Sequence, residues 1–175
     1  FFLAIILLTY LIIYVPKFDY IQGRILSFFD RETGTHNFQS DKAIDSITSG
    51  GFFGKGIGEG ILKNRVPEAH TDYIISVISE EFGVVAIMLI LLLFLIFIYM
   101  VFKKISFETD DKTKLILIGS ISLILMQATI HIGVNIRLFP TTGMTLPFLS
   151  YGGSSILSTS ILAGIILNLT KRKIN

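Results

Sequence analysis

The hydrophobic positions of the chain are gathered into four long blocks separated by polar segments. The clearest block, residues 83–102, contains twenty residues without a charge, enough to cross a hydrocarbon core of about 30 Å as a helix. Three further blocks begin near residues 1, 115 and 147, and the last is interrupted at 150–155 by small and polar residues. The pattern predicts an all-α integral membrane protein with four transmembrane helices, at 1–15, 73–102, 115–139 and 147–170.

The polar segments complete the predicted topology. We assign residues 16–72 to a large extracellular or periplasmic loop, 103–114 to a cytoplasmic loop, 140–146 to a periplasmic turn and 171–175 to a cytoplasmic tail. The 103–114 segment holds four lysines and the tail holds three basic residues, and Lys and Arg concentrate on the cytoplasmic side of membrane proteins. The block at 1–15 is too short to span a bilayer and lacks the features of a signal peptide, so we expect a truncated helix and a natural chain that extends upstream.

Composition agrees with a membrane protein. The 175 residues are 51% hydrophobic and 16% charged, the mean hydropathy is +0.70, and there is no cysteine. The lack of cysteine excludes a disulfide-stabilised secreted scaffold, and the formal net charge of only +2 argues against a nucleic-acid partner. Membrane lipid is therefore the first partner that the sequence predicts.

The 16–72 loop is long enough to be functional. Apolar residues at helical spacing predict two short helices at the membrane surface, at 20–29 and 38–47, with a turn at 30–37. Residues 49–60 then contain six glycines, and glycine at this density either lets backbone approach a ligand closely or supplies positive φ in tight turns. The amides of this run and Lys55 are candidates for contact with a lipid-linked pyrophosphate. A glycine-rich turn with a solvated lysine is the alternative.

Ionisable side chains meet the predicted bilayer surface just before the second helix. Glu68, His70 and Asp72 lie close together in sequence, and Asp72, Ser76 and Glu80 follow at i, i+4 and i+8, which puts them on one face of a helix. Acidic groups at this depth are costly unless they face water or partners, so we expect that face to line a cavity.

Two other interpretations of these residues stay open from the pattern alone. Asp72 or Thr71 could be a helix N-cap, and a capping carboxylate has a lowered pKa that makes it a poorer base. His70 could be a hydrogen-bonded residue that orients the loop. The three histidines, His36, His70 and His131, have no metal-ligand spacing, so no metal site is predicted.

The third and fourth helices also carry polar residues. Gln127, His131 and Asn135 form a stripe at i, i+4 and i+8, which either bonds across helices or lines a polar route. Arg137 follows at the outer end, where an arginine can snorkel to headgroups or bind an anion. The irregular start of the fourth helix, with Ser150 and Tyr151, must pack against protein or line a cavity, because its backbone groups need partners.

Four motifs follow one another along the chain: residues 50–56 (GGFFGKG), 67–72 (PEAHTD), 80–83 (EEFG) and 140–147 (PTTGMTLP) running into 150–155 (SYGGSS). In this order they resemble the motifs of the SEDS family (shape, elongation, division and sporulation). The sequence 143–147 (GMTLP), together with Glu59 and Gly60, resembles the division-type branch more than the elongation-type branch. The resemblance covers roughly residues 20–172.

The resemblance implies a peptidoglycan glycosyltransferase of ten helices, of which this chain would hold the last four. Such proteins polymerise lipid II at the outer face of the cytoplasmic membrane, together with a class B penicillin-binding protein and other divisome proteins at the septum. The essential acidic residue of the family would fall on Asp72 as general base, and no cofactor is implied beyond a divalent cation such as Mg²⁺. The fragment alone would be inactive.

Six residues are the candidates for contact with substrate under this resemblance: Lys55, Glu68, His70, Arg137, Ser150 and Tyr151. The chain departs from the family pattern in having His131 where Asn is common and Thr142 where Lys is common. Loss of that lysine removes one pyrophosphate contact, and Arg137 would supply part of the charge.

Two rival functions belong to other classes. A lipid II flippase would need a polar route through the bundle, whereas residues 121–126 on the cytoplasmic side of the third helix are apolar apart from Ser122, which favours chemistry at the outer surface. A non-catalytic divisome scaffold would tolerate substitution of Asp72 while still binding its partners.

Overall fold

The described residues form helices and irregular connecting segments, with no β-strand among them. A computed structural model describes residues 35–66 and 68–171, together with residues 2, 3, 10, 19, 23, 24, 26 and 28. Its five continuous helices are α1 (Thr35–Gly50), α2 (Leu62–Arg65), α3 (Ile74–Phe107), α4 (Asp111–Asn135) and α5 (Gly153–Thr170). The predicted all-α class is confirmed for these residues.

Three of these helices are long and apolar enough to cross a membrane. They are α3 with 34 residues, α4 with 25 and α5 with 18, and the best 18-residue windows have mean hydropathies of 3.3, 2.0 and 1.4. Their outward surfaces are rich in exposed aliphatic side chains such as Met88, Leu92 and Leu157, as expected where lipid replaces water. The predicted helix at 1–15 lies outside the described residues, apart from Phe2, Leu3 and Tyr10.

The connection between α3 and α4 is shorter than predicted. Helix α3 continues to Phe107 and α4 begins at Asp111, so most of the predicted 103–114 loop is helical. Lysine is a good helix former, and Lys104 forms an ion pair with Glu108 at 2.9 Å across one turn. Asp110 then caps α4, because its carboxylate accepts from the Thr113 amide at 3.1 Å.

The long outer segment is ordered by packing of α1 against α3. Helix α1 contains the predicted 38–47 helix but begins at Thr35, so residues 35–37 of the predicted turn are helical. Of the predicted 20–29 helix, residues 23, 24, 26 and 28 are described and are helical. A buried cluster joins α1 and α2 to the outer ends of α3 and α4, and it consists of Ala43, Leu62, Val66, Ala69, Tyr73, Val77 and Val134.

A second buried cluster fills the cytoplasmic half of the bundle. It joins α3, α4 and α5 through Val101, Leu117, Ile121, Ile124 and Ile166, each at most 2% exposed. Burial of these branched aliphatic side chains packs the three helices together. The same stretch of α4 also contains one buried hydroxyl, that of Ser120.

Helix α3 is interrupted at Gly83, and the glycine-rich segment fills the interruption. Gly83 has φ 78° and ψ −178°, a conformation open to glycine and strongly disfavoured for other residues. The carbonyls of Glu80 and Glu81, which would bond the amides of Val84 and Val85 in an unbroken helix, instead accept from the amides of residues 55 and 56 at 2.8 and 3.0 Å.

The freed amides of the helix find partners in the same segment. Val84 donates to the Gly51 carbonyl at 2.9 Å, and Val85 donates to the Phe52 carbonyl at 3.4 Å. A side chain at Gly54 or Gly83 would collide with backbone on the other side of this joint. The density of glycine therefore serves close backbone packing on α3, and the amides of Lys55 and Gly56 are not available to a phosphate.

Candidate active site at the outer face

The polar stripe of α4 holds the turn formed by residues 140–146. Gln127 donates through Nε2 to the Thr145 carbonyl at 2.9 Å and to the Ser155 hydroxyl at 3.0 Å. The Nδ1 atom of His131 lies 2.8 Å from the Met144 carbonyl, in a fully buried position. The interpretation of this stripe as bonding between segments is confirmed, because each side chain fixes backbone or a hydroxyl on another element.

Asn135 completes the stripe and reaches the backbone of Asp72. Its Nδ2 donates to the Asp72 carbonyl at 2.9 Å, and its Oδ1 accepts from the Ser76 hydroxyl at 2.8 Å. Asn135 is 0% exposed, so these bonds are shielded from water and hold the end of α4 firmly against the start of α3.

The irregular segment before α5 is held by hydrogen bonds to the backbone of residues 70 and 71, just before Asp72. The buried hydroxyl of Ser150 donates to the Thr71 carbonyl at 2.8 Å and accepts from the Leu146 amide at 2.7 Å. The amide of Tyr151 donates to the His70 carbonyl at 3.1 Å. The prediction that this segment packs against protein is confirmed, since its backbone and Ser150 bond directly to residues 70–71.

Asp72 lies where these supports meet, with its backbone held and its side chain half-buried. It does not cap α3, because Tyr73 is the N-cap residue and no side chain caps the helix there. The hydroxyl of Thr71 does not cap the helix either. It donates to the Glu68 carboxylate at 2.8 Å, and it lies close enough to the Asp72 carboxyl to lower the pKa of that group by hydrogen bonding. Among the described residues no backbone amide donates to the Asp72 carboxylate, so the alternative of a capping role is wrong.

The 140–146 turn faces this carboxylate through its glycine. Gly143 has φ 72°, and a Cβ atom built there would lie 3.8 Å from Oδ2 of Asp72. The absence of a side chain at Gly143 leaves the approach to the carboxylate open. The same turn borders a cavity of about 470 Å³ whose lining is mainly apolar, from Leu123, Met126, Met144 and Leu162, together with the hydroxyl residues Thr145, Ser154, Ser155 and Ser158.

The surroundings of Asp72 favour its protonated form. Partial burial raises the pKa of the Asp72 carboxyl above its usual value of 3.8, and the negative charge of Glu68 raises it further. The positive charge of Arg24 opposes both effects and lowers the same pKa. A carboxylate with a raised pKa is a stronger base than an ordinary aspartate.

Arg24 is the functional candidate that the sequence reasoning missed. Its guanidinium donates to the Thr141 carbonyl at 2.6 Å, so it joins the 20–29 region to the turn that faces Asp72. The only available signal was a single arginine within a short amphipathic segment, and such a residue usually faces solvent. Its place in the site comes from tertiary contact, which periodicity does not report.

The two cations predicted to meet an anionic ligand both have carboxylate partners. Lys55 donates to the Glu80 carboxylate at 2.8 Å, and Arg137 forms an ion pair with Asp41 of α1. Arg137 itself has φ 61° at the end of α4, which turns the chain toward that partner. Contact of either side chain with substrate stays a prediction, and it would require these pairs to open.

The remaining predicted contacts divide between exposed and buried positions. Glu68, His70 and Tyr151 are exposed near the half-buried Asp72, whereas Ser150 is only 3% exposed and its hydroxyl is used in the internal bonds described above. Glu68 lies close enough for its charge to act on the Asp72 carboxyl, and His70 and Tyr151 are joined to each other through their backbones. Their contact with substrate stays a prediction.

The expectation that one face of α3 lines a cavity is correct only in part. Ser76 is 0% exposed and bonds Asn135, so it faces protein. Glu80 borders a small cavity of about 170 Å³, but its carboxylate accepts from Lys55 and from the amides of Ile61 and Leu62, both at 3.0 Å. Asp72 alone on this face keeps access to the outside.

The described residues do not contain a ready-made metal site. No group of three or more His, Asp or Glu side chains in this part of the chain is arranged to hold an ion. Among the described residues, Asp72 and Glu68 are two carboxylates without a third protein ligand, so this part of the chain does not by itself supply the ligand set of a resident metal. A role for a divalent cation such as Mg²⁺ stays a prediction.

Comparison with known proteins gives a consistent family match. The whole chain, residues 1–175, matches the family described as "Cell cycle protein", which groups FtsW, RodA and SpoVE. The chain is 38% identical over 158 residues to a probable peptidoglycan glycosyltransferase FtsW of Caulobacter vibrioides, covering 89% of this chain and 40% of that protein. It is 35% identical to the FtsW of Enterococcus hirae, covering 98% of this chain and 46% of that protein.

A solved structure has the same arrangement of helices. It is one chain of a peptidoglycan synthase complex described as coordinating polymerization and crosslinking, with a TM-score of 0.65 and 26% sequence identity. The match covers 95% of this chain and 47% of the solved chain. The chain therefore spans less than half the length of the relatives it matches.

Proposed function

Because the chain belongs to the FtsW, RodA and SpoVE family of cell cycle proteins, we propose that it is part of a peptidoglycan glycosyltransferase that polymerises lipid II during cell division. The reaction takes place at the outer face of the cytoplasmic membrane, and Asp72 is its general base. The names of the FtsW relatives support the activity, and the synthase complex supports a partnership with a crosslinking enzyme of the class B penicillin-binding type.

The single observation that carries the proposal is the state of Asp72. Its backbone is held by Asn135 inside a buried network, while its side chain stays half-buried and without a capping bond. A base must be fixed in position and still reach the substrate, and this residue meets both conditions. A purely structural aspartate at a helix start would use its carboxylate on the helix amides.

The chemistry follows from one proton transfer. Asp72 accepts the proton of the 4-hydroxyl on the acceptor GlcNAc while that oxygen attacks C1 of the donor MurNAc. The new bond joins the acceptor oxygen to C1, and the bond from C1 to the pyrophosphate oxygen breaks, so undecaprenyl pyrophosphate leaves with the electron pair. General-base assistance of this kind contributes about 10²- to 10⁴-fold.

Among the described residues, Arg24 is the cation whose charge acts on this carboxylate. It lowers the pKa of Asp72, which favours the ionised form that a base needs, and it also holds the 140–146 turn. Lys55 and Arg137 are held by Glu80 and Asp41. Stabilisation of the leaving pyrophosphate is therefore assigned first to the rest of the protein, with these two residues as secondary contributors.

The experiment is lipid II polymerisation by the full-length protein with its penicillin-binding partner, comparing Asp72→Asn with Asp45→Asn. Asp45 is an exposed carboxylate on α1 that pairs with Lys42 at 3.1 Å, and its substitution should leave the rate unchanged. Asp72→Asn should lose at least about 10²-fold in rate. A near-normal rate for Asp72→Asn would refute the assignment.

A stability measurement separates loss of chemistry from loss of fold. Because the folded protein raises the pKa of Asp72, ionising this carboxyl costs stability above the unfolded-state pKa, and the cost is absent at lower pH. The thermal midpoint of Asp72→Asn at neutral pH should therefore equal or exceed that of the parent. Loss of rate together with a lower midpoint would point to a structural role.

The same variant distinguishes the rival functions. A scaffold would keep partner binding and cell division with Asp72→Asn, and a flippase would keep lipid II translocation while lacking polymerisation. The apolar layer of Val101, Ile121 and Ile166 opposes transport between the described helices. Membrane localisation follows from the three spanning helices, and localisation at the septum is part of the proposal.

A further inference from the structure

Three large apolar side chains of the glycine-rich segment project outward. Phe52, Phe53 and Ile57 are 75%, 86% and 80% exposed. In water, each would leave a large apolar surface exposed to solvent, which is unfavourable compared with burial. Three such residues within six positions form an apolar patch on a segment that is otherwise glycine and charge.

The backbone fixes the height of this patch along α3. The amides of Lys55 and Gly56 bond the helix just before Gly83, and the carbonyls of Gly51 and Phe52 bond it just after Gly83. Four hydrogen bonds over six residues leave the segment little freedom to move along the helix. The patch therefore lies at the level of Gly83 and not at the outer end of α3.

Gly83 also lies at the start of the uncharged part of α3, which begins at Phe82. Residues 83–102 carry no charge, and twenty helical residues extend about 30 Å, the thickness of the hydrocarbon core. Glu81 lies immediately before Phe82, and Lys103 ends the uncharged run on the other side. The level of Gly83 is therefore the outer boundary between hydrocarbon and headgroups.

The patch continues an apolar surface that already faces lipid. Phe82, Val84, Val85 and Met88 on α3 are 45%, 39%, 54% and 61% exposed. The segment that carries Phe52 bonds directly to Val84 and Val85. The ion pair of Lys55 with Glu80 neutralises the charge of Lys55 at the same depth, so Glu59, after Ile57, is the remaining charge of the segment.

We propose that Phe52, Phe53 and Ile57 insert into the outer leaflet of the bilayer and anchor the glycine-rich segment at the membrane boundary. The occupant of this surface is lipid acyl chain. Aromatic and aliphatic side chains on the apolar face of an interfacial segment bury about 5–10 Å into this boundary. The anchor keeps α1 and α2 seated on the membrane, and through α3 it fixes the outer site relative to the lipid that carries the substrate.

The test uses a fluorescent indole in place of one patch residue. This chain has no tryptophan, so Phe53→Trp in the full-length protein adds one indole whose signal is the difference from the unsubstituted protein. The protein is placed in nanodiscs of phosphatidylcholine brominated on its acyl chains, and aqueous iodide is used separately. The anchored indole should be quenched by the brominated lipid and protected from iodide.

Two matched positions calibrate the measurement. Leu92→Trp replaces a half-exposed residue in the middle of the uncharged run and should be quenched by the brominated lipid. Thr48→Trp replaces an exposed residue of α1 and should respond to iodide alone. We expect Phe53→Trp to lose emission to brominated lipid to an extent comparable with Leu92→Trp, and Ile57→Trp repeats the measurement from a second position.

Two results would overturn the proposal. Quenching of Phe53→Trp and Ile57→Trp by iodide alone would show that the patch lies in water. Protection from both quenchers would show that protein covers the patch, either an upstream part of the chain or a partner subunit. In that case, measurements with and without the penicillin-binding partner would show whether the partner or the upstream part of the chain covers the patch.

Discussion

The side-chain amide of Asn135 donates to the main-chain carbonyl of Asp72 at 2.9 Å, and it thereby links the end of α4 to the residue proposed as general base. The carbonyl oxygen of the same amide accepts from the Ser76 hydroxyl at 2.8 Å, one turn further along α3. One buried side chain thus holds both ends of the first turn of α3. The carboxylate of Asp72 has no part in this support and stays available.

Replacing Asn135 should therefore damage position more than chemistry. Asn135→Ala leaves the buried Ser76 hydroxyl and the Asp72 carbonyl without partners, which costs about 1–3 kcal/mol for each unsatisfied group. The thermal midpoint should fall, and the polymerisation rate should fall with it while the pH dependence keeps its shape. Asn64→Ala, at an exposed position of α2, is the control and should change neither quantity. A normal midpoint for Asn135→Ala would contradict this role.

The pH dependence of polymerisation should report the charges around Asp72. The rate requires the ionised carboxylate, so it should fall as pH drops through a pKa that lies above the usual value of 3.8. Glu68→Gln removes a negative charge that raises this pKa, and the acid midpoint of kcat/KM should move to lower pH. Arg24→Gln removes a positive charge that lowers it, and the midpoint should move to higher pH.

The acid midpoints of the two variants should move in opposite directions, and this is the most specific part of the prediction. A change in folding or in substrate affinity would alter the height of both profiles without moving their midpoints in opposite directions. Both shifts should shrink at high ionic strength, because the groups are partly exposed and salt screens their interaction. Shifts of the same sign in the two variants would rule out the proposed electrostatic arrangement.

The spanning helices were predictable because lipid imposes a strong rule on composition. A run such as residues 83–102 can satisfy its backbone in lipid only as a helix, so length and apolar content suffice to find most of α3 and α4 and all of α5. The predicted helical residues 136–139 and 147–152 were wrong, because α4 ends at Asn135 and α5 begins at Gly153. The helix ends were less predictable, as in α3, which continues through Lys103 and Lys104 to Phe107. Lysine marks the membrane boundary but does not end a helix, so the boundary and the end of the helix fall at different residues.

The position of Asp72 at the outer end of α3 was predictable from the sequence, whereas the partners of the cations were not. An acidic residue at the start of a membrane helix is costly, which draws attention to Asp72, and the family resemblance, not the spacing, favoured it as the base. The partners of Lys55 and Arg137 lie 25 and 96 positions away, at Glu80 and Asp41, and no local pattern reveals such pairs. The interruption of α3 at Gly83 was not predicted for the same reason, since the segment that causes it lies about thirty residues upstream in the chain.

The pair of Lys55 and Glu80 gives a direct test of whether Lys55 serves the fold or the substrate. Glu80 is only 3% exposed at its side chain and Lys55 is 33% exposed, so Lys55→Met leaves a buried carboxylate without its cation. We expect a loss of about 2 kcal/mol in stability, between the values for surface and fully buried pairs. Lys55→Met combined with Glu80→Gln should recover part of that loss.

Rates complete this test. If Lys55 acts only through Glu80, the double variant should recover polymerisation together with stability. A double variant that regains the thermal midpoint but remains slow would assign Lys55 to the substrate, as the family resemblance suggests. The comparison requires both measurements on the same preparations.

The joint at Gly83 should be the least tolerant position of α3. Gly83→Ala places a Cβ against the Phe52 carbonyl in a backbone conformation that costs about 1–3 kcal/mol for a residue other than glycine, and the four bonds between the helix and residues 51–56 cannot all persist. The thermal midpoint should fall clearly. Gly119→Ala in α4 is the matched control, since no atom of another element lies within 4 Å of the added Cβ. It should leave the midpoint unchanged or raise it, because alanine favours a helix over glycine by up to about 1 kcal/mol in the free energy of unfolding. Equal midpoints for the two variants would mean that α3 runs unbroken through Gly83, and the segment that carries Phe52 would then have no fixed level at the membrane.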